Sequence, residues 1–223
     1  MTTLIIATRN AHKVDEIRAI LGDGFRCRSL GEFSGAPAGV EDGETFEDNA
    51  AKKALTPARW LAEHVATDQK IKAFFAGPVF VLADDSGLEV DALGGAPGVH
   101  SARFAALDDA LAPAHANSSD QANNAKLLRL LQNVAGGNRA ARFKCVMALV
   151  PVDSLGTVGT PRFFQGTCEG KIAIEPSGRG GFGYDPLFVP DGFRESFAEL
   201  GEEIKNRLSH RARALEKLAS ALD

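Results

Sequence analysis

Residues Val79-Phe80-Val81-Leu82-Ala83 form an apolar run that stops at two adjacent carboxylates, Asp84 and Asp85, followed by Ser86-Gly87-Leu88-Glu89-Val90-Asp91. An unpaired charge in an apolar interior is very costly. The run therefore predicts a buried strand whose carboxyl end carries the acids out of the core, ahead of a Ser-Gly turn. Open α/β sheets place their ligand crevices at such strand ends. Carboxylates there suit a hard divalent cation such as magnesium. A glycine-rich run, Gly94-Gly95-Ala96-Pro97-Gly98, lies just behind.

The rest of the chain sets the class. Residues 4–7 predict a short buried strand that runs into Thr8-Arg9-Asn10, and Val14, Ile17, Ile20 and Leu21 then repeat at helical spacing up to Gly22 and Gly24. Residues 31–43 read as a loop, and a second helix begins at Thr45 or Phe46 and continues through Leu61. Residues 64–78 lack a clear period and read as a short insertion. A loop rich in Gly and Pro then leads to Ser118-Ser119-Asp120, which predicts a cap for a helix through Leu131. Residues 142–152 and 162–174 predict strands paired as an antiparallel hairpin, and 209–222 a final helix. Strands and helices interleave, with antiparallel pairing late, so the expected class is α/β on a mixed sheet.

A length of 223 residues fits one large domain or two closely packed lobes, and a hydrophobic fraction of 44% supports a full core. The formal charge of -4, with no long block of either sign, argues against a surface built to neutralise a nucleic-acid backbone. Cys27, Cys145 and Cys168 are odd in number and widely spaced. They predict reduced thiols rather than a disulfide framework or a zinc site. No secretory signal pattern and no membrane-length apolar stretch is found, so the expectation is a soluble cytoplasmic protein.

Four further segments carry chemistry. Thr8-Arg9-Asn10-Ala11-His12-Lys13 joins a strand to a helix, where free backbone N–H groups bind anions, and Asn10 and Lys13 add donors. A plain helix cap with a solvated lysine explains the same residues. The segment 41–48 holds five acids, of which Asp48 fits a capping box with Thr45; one or two of the others are placed to complete a magnesium shell with Asp84-Asp85. Gly178 to Gly183 match Gly-x-Gly-x-x-Gly, but Pro186 blocks the helix that a dinucleotide fingerprint needs. These glycines suit a close approach to a planar ligand, with Phe182 or Tyr184 stacking on a base; a flexible turn explains them equally. Lys205-Asn206-Arg207-Leu208-Ser209-His210-Arg211 reads either as a solvated helix start capped by Ser209 or as a set of cations facing a phosphate or a purine carbonyl.

The order of these blocks resembles the inosine triphosphate pyrophosphatase family. The matching residues are Thr8-x-Asn10-x-x-Lys13-x-x-Glu16, Gly43-x-Thr45-Phe46-x-x-Asn49-Ala50, Ala83-Asp84-Asp85-Ser86-Gly87-Leu88, Leu93-Gly94-Gly95-Ala96-Pro97-Gly98, Ser101-Ala102-Arg103, Gly180-Gly181-Phe182-Gly183-Tyr184-Asp185-Pro186 and Ser209-His210-Arg211. The resemblance implies a two-lobed α/β fold around a long mixed, twisted sheet, a nucleotide cleft between the lobes and a homodimer. It implies magnesium-dependent hydrolysis of ITP, dITP and XTP to the monophosphate and pyrophosphate.

By position, Asp85 is then metal ligand and proton acceptor, and Ser86 a neighbouring substrate contact. Thr8, Arg9, Asn10, Ala11, His12 and Lys13 hold the triphosphate. Phe182, Gly183, Tyr184 and Asp185 hold the base, while Lys205, His210 and Arg211 read its 6-oxo group and adjacent phosphates. The family's acidic pair usually stands one position earlier than Glu41 and Asp42, and Glu41 is taken as the second metal carboxylate. Two rival readings are a pyrophosphatase for other modified or pyrimidine nucleotides and a non-catalytic nucleotide-binding module.

Overall fold

The computed structural model describes residues 1–108 and 116–222. Of the loop expected ahead of Ser118, residues 109–115 lie outside the described residues. Among the described residues six strands, β1 (Thr3–Ile6), β2 (Arg26–Ser29), β3 (Val79–Val90), β4 (Ala140–Val152), β5 (Arg162–Ile172) and β6 (Phe188–Pro190), hydrogen-bond in the order β2-β1-β3-β4-β5-β6. β1 runs parallel to both neighbours, with Thr3 opposite Val79 and Ile6 opposite Leu82, and β5 pairs antiparallel with β6. The sheet is mixed, as expected. A parallel strand between two neighbours is covered on both faces, which is why Thr3-Leu4-Ile5-Ile6 is buried throughout.

The helices are α1 (Ala11–Leu21), α2 (Phe46–His64), the short α3 (Gln69–Lys72), α4 (Asp120–Leu130), α5 (Phe197–Leu208) and α6 (His210–Ser220). Asn10, Thr45 and Ser119 cap α1, α2 and α4 by accepting from the backbone N–H three residues on. The insertion at 64–78 is helical in part, since α3 lies within it. None of the helices, among the described residues, is long and apolar enough to cross a membrane.

One expectation is corrected. β3 does not end at the acids: it continues unbroken from Val79 to Val90, and Asp84 and Asp85 sit in mid-strand, 3% and 5% exposed. The Ser86-Gly87 pair is strand, not turn. Burial of these charges is compensated by lysines rather than avoided.

The chain divides into two compact units. The first comprises Met1–Asp85, Val146–Gln165 and Ala214–Asp223, and the second Ser86–Cys145 and Gly166–Arg213. In the first, Ala50, Ala54, Ala58 and Leu61 form one stripe of α2 packed with Ile5, Val79, Val81, Ala148 and Val150. In the second, Leu88, Val90, Phe104, Leu127, Phe143, Tyr184, Phe188 and Phe197 make a separate aromatic core.

Candidate active site

The first unit carries a cluster of three acids and two lysines. Lys53 belongs to the otherwise apolar stripe of α2, and its buried Nζ lies 2.8 Å from Glu41 Oε1 and 3.2 Å from Asp85 Oδ1. Lys13, in the first turn of α1, forms an ion pair with Asp84. Glu41 reaches Lys53 because its loop lies directly on α2. A Cβ on Gly39 would meet the backbone of Lys52 and Lys53, so only glycine fits there. The loop is tied again where Gly43 N–H donates to buried Asn49 Oδ1 at 2.7 Å. Asp42 turns away to Lys52.

The second carboxylate oxygen of Asp85, Oδ2, is buried with no hydrogen-bond partner among the described residues. Burial raises the Asp85 carboxyl above its ordinary range; Lys53 and Lys13 oppose this, and the Glu41 charge adds to it. Burial pulls the Lys53 ammonium down, but Asp85, Glu41 and Asp84 together outweigh it and hold the proton more firmly than usual. A buried bare carboxylate oxygen and a nearby half-exposed glutamate are hard donors. They fit a cation that takes one or two carboxylates and fills its remaining positions with water and phosphate oxygen.

β1 delivers Thr8 to the start of α1. Thr8 Oγ1 accepts from Asn10 N–H at 3.1 Å, and Asn10 Oδ1 accepts from Lys13 N–H at 3.3 Å. This turn leaves Ala11 and His12 exposed at a helix N-terminus, the geometry that favours anions. Arg9 extends to the Ala36 carbonyl at 3.4 Å. The structure thus brings Thr8 to Lys13, Glu41 and Asp84-Asp85 into one unit.

The second unit holds the other candidates. Asp185 accepts from Phe182 N–H at 2.8 Å and from Lys205 Nζ at 2.7 Å, closing residues 182–185 into a turn. A Cβ on Gly181, whose φ is +72°, would overlap the Asp185 carboxylate. Lys205 Nζ stands 4.2 Å from the centre of the half-buried Phe182 ring, and Arg211 Cζ 5.9 Å. Arg211 also donates to Ser86 Oγ at 3.2 Å, and His210 stacks on Phe143 at 4.8 Å.

Lys205, His210 and Arg211 are buried, so the solvated reading of this run is corrected. Lys205 lies near the end of α5, a helix the sequence did not signal, and Ser209 caps α6 through Ala212 N–H. Tyr184 is in the aromatic core with its hydroxyl on the Ser101 carbonyl at 2.9 Å. Its ring supports the turn, and the aromatic ring that meets the cations is the half-buried Phe182.

A Ham1 family model matches residues 4–221. The chain belongs to the Ham1 family. Ham1 relatives include a dITP/XTP pyrophosphatase of Desulforamulus reducens, 45% identical over 99% of this chain and 95% of its own. Another, from Geobacter sulfurreducens, is 44% identical over 100% and 97%. Among solved structures, a Ham1 protein from Coxiella burnetii superposes with a TM-score of 0.76 at 34% identity, covering 100% of this chain and 98% of that one.

Lys53 escaped the sequence reading. Its signal is a lone cation at helical spacing among Asn49, Ala50, Ala54, Pro57 and Ala58, all buried. A lysine in such a stripe is almost never fully buried without a partner.

Proposed function

We propose that this Ham1 protein is a magnesium-dependent nucleoside triphosphate pyrophosphatase that acts on dITP, ITP and XTP. The observation that carries the reading is the buried, unpartnered Oδ2 of Asp85 beside Lys53 and Glu41, in a chain similar over its whole length to dITP/XTP pyrophosphatases.

Asp85 takes a proton from the attacking water. The water oxygen bonds to the α-phosphorus as the bond to the bridging oxygen breaks, so the products are a nucleoside monophosphate and pyrophosphate. Lys13 and the α1 N-terminus bind the triphosphate oxygens, which costs little reorganisation because Asn10 already fixes that turn. Lys53 holds Asp85 ionised and oriented. Asp85 and Glu41 would hold magnesium, which supplies charge neutralisation for the departing pyrophosphate.

In the second unit, Phe182 offers a face to the base, and Lys205, His210 and Arg211 offer donors to a 6-oxo oxygen. Adenine presents an amino group there, which offers those donors no acceptor, a mismatch that discriminates strongly. The reading extends to a cytoplasmic homodimer, checked by sedimentation of the native protein. The decisive experiment measures pyrophosphate release from dITP, ITP, XTP, GTP, ATP and dUTP, with magnesium and with EDTA. Preference for the first three that disappears with EDTA supports the reading; preference for dUTP or binding without turnover sinks it.

A further inference from the structure

The turn that carries Phe182 is gripped from a second side by residues outside the motifs described so far. Asp120, the first residue of α4, accepts from Gly183 N–H at 2.6 Å. Asn124 donates from Nδ2 to the Gly183 carbonyl at 3.0 Å. Residues four apart on a helix share a face, so two side chains of α4 occupy both peptide groups of a single residue.

Gly183 needs such a restraint. Its φ is +64°, a region open to glycine without steric guidance, and a Cβ built on it would find nothing within 4 Å. A groove of about 470 Å³ opens along α4 at this point, lined by Gln121, Asn124, Leu128, Arg179 and Phe182. Packing does not fill that side, so the two hydrogen bonds are what tie the turn to the helix there. Asp185 fixes Phe182 N–H from the inner side. The backbone of Phe182 is therefore held immediately before and immediately after its side chain.

We propose that Asp120 and Asn124 are positioning residues for purine recognition: by holding both peptide groups of Gly183, they set the plane of the Phe182 ring against which the base is read. The inference rests on the reading of residues 182–185 as the base-holding turn. A group that sets the base-binding surface acts on binding and discrimination, not on bond cleavage at phosphorus. The effect belongs in KM and in the ratio of kcat/KM between bases, with kcat unchanged.

Steady-state kinetics of the full-length protein with ITP and ATP test this. Asp120→Ala raises KM for ITP by about tenfold, the effect of losing a hydrogen bond to a charged group, at unchanged kcat, and narrows the preference for ITP over ATP. Asn124→Ala shifts KM the same way. Asp120→Asn, whose amide oxygen still accepts from Gly183, restores the wild-type KM. Ser119→Ala removes the α4 cap bond to Ala122 N–H at 3.2 Å without touching the turn, and leaves KM at the wild-type value. A wild-type KM in Asp120→Ala overturns the proposal, as does a Ser119→Ala shift of equal size, which would make helix stability the cause. A wild-type enzyme that does not distinguish ITP from ATP overturns the base-turn reading itself. Discrimination that persists in Asp120→Ala overturns only this inference.

Discussion

Lys53 Nζ donates to Oδ1 of Asp85 at 3.2 Å and leaves Oδ2 of the same carboxylate buried and unpartnered. One oxygen is thus committed to orientation, and the other is available for chemistry. A side chain already fixed at one oxygen loses little freedom when it accepts a proton or a cation at the other.

Asp85→Asn should lower kcat by about a thousandfold, the scale of a lost general base, without unfolding the protein. Burial, helped by Glu41, raises the Asp85 carboxyl despite the two lysines. A raised carboxyl favours the folded state below the ordinary carboxylate range, and that contribution is lost as pH rises through the folded value. The neutral asparagine escapes the loss. The variant's melting temperature at pH 7.5 should equal or exceed the wild type's, with the gap closing toward pH 4. A clear fall in melting temperature at pH 7.5 would show the carboxylate to be a net stabiliser.

Lys53→Met should act in the opposite direction. Removing one partner of a buried ionic cluster strands the remaining charges and costs about 3 kcal/mol. Asp85 and Glu41 both lose their shared ammonium. The deficit should shrink in acid, where protons neutralise the carboxylates, and it should vanish above the raised pKa of Lys53, where the wild-type ammonium is itself lost. Denaturant melts at several pH values measure it; a pH-independent deficit would mean that lost packing dominates.

Gly181→Ala should damage base recognition before it damages the fold. The new Cβ overlaps the Asp185 carboxylate in a backbone region that disfavours side chains. Overpacking of this kind costs about 1–3 kcal/mol, and relief requires Asp185 to release Phe182 N–H or Lys205. KM for ITP should rise while the first unit's chemistry, read as kcat, is retained. An unchanged KM would show that the turn tolerates displacement.

Cys168 offers a probe of burial within the second unit. Burial pushes its thiol up to about 11. Because the thiolate is the reactive species, alkylation of Cys168 by iodoacetamide in the native protein should rise about tenfold per pH unit between pH 8 and pH 10. Peptide mass analysis after timed labelling reads this rate; a plateau near pH 9 would show an ordinary exposed thiol.

The parts of the fold legible in the sequence were those with a single dominant period. The apolar residues of β1 and the stripes of α1 and α2 follow from burial on one face or two. β2 was not legible, because Arg26-Cys27-Arg28-Ser29 lies at one end of the sheet and exposes or half-exposes every residue. β6 has only three residues, too few to show a period. α5 is interrupted at Gly201, whose φ of +78° breaks the helical repeat between Phe197 and Lys205. The acids stood out as a candidate site, but their place in mid-strand did not. That placement depends on Lys13 and Lys53, 71 and 32 residues away in the chain from Asp84 and Asp85 respectively, a separation that no local pattern reports. Asp120 and Asn124 were hidden for the same reason, since each looks like an ordinary polar residue in the first turns of a helix.

Lys53 has a consequence for how the protein comes into being. Its ammonium offsets part of the charge of Glu41 and Asp85 once α2 packs onto the sheet, so the acidic centre carries a counterion of its own. A nascent chain can complete this core in a cell depleted of divalent metal. On the proposed magnesium dependence, the supply of metal would govern when the protein works and leave untouched whether it matures.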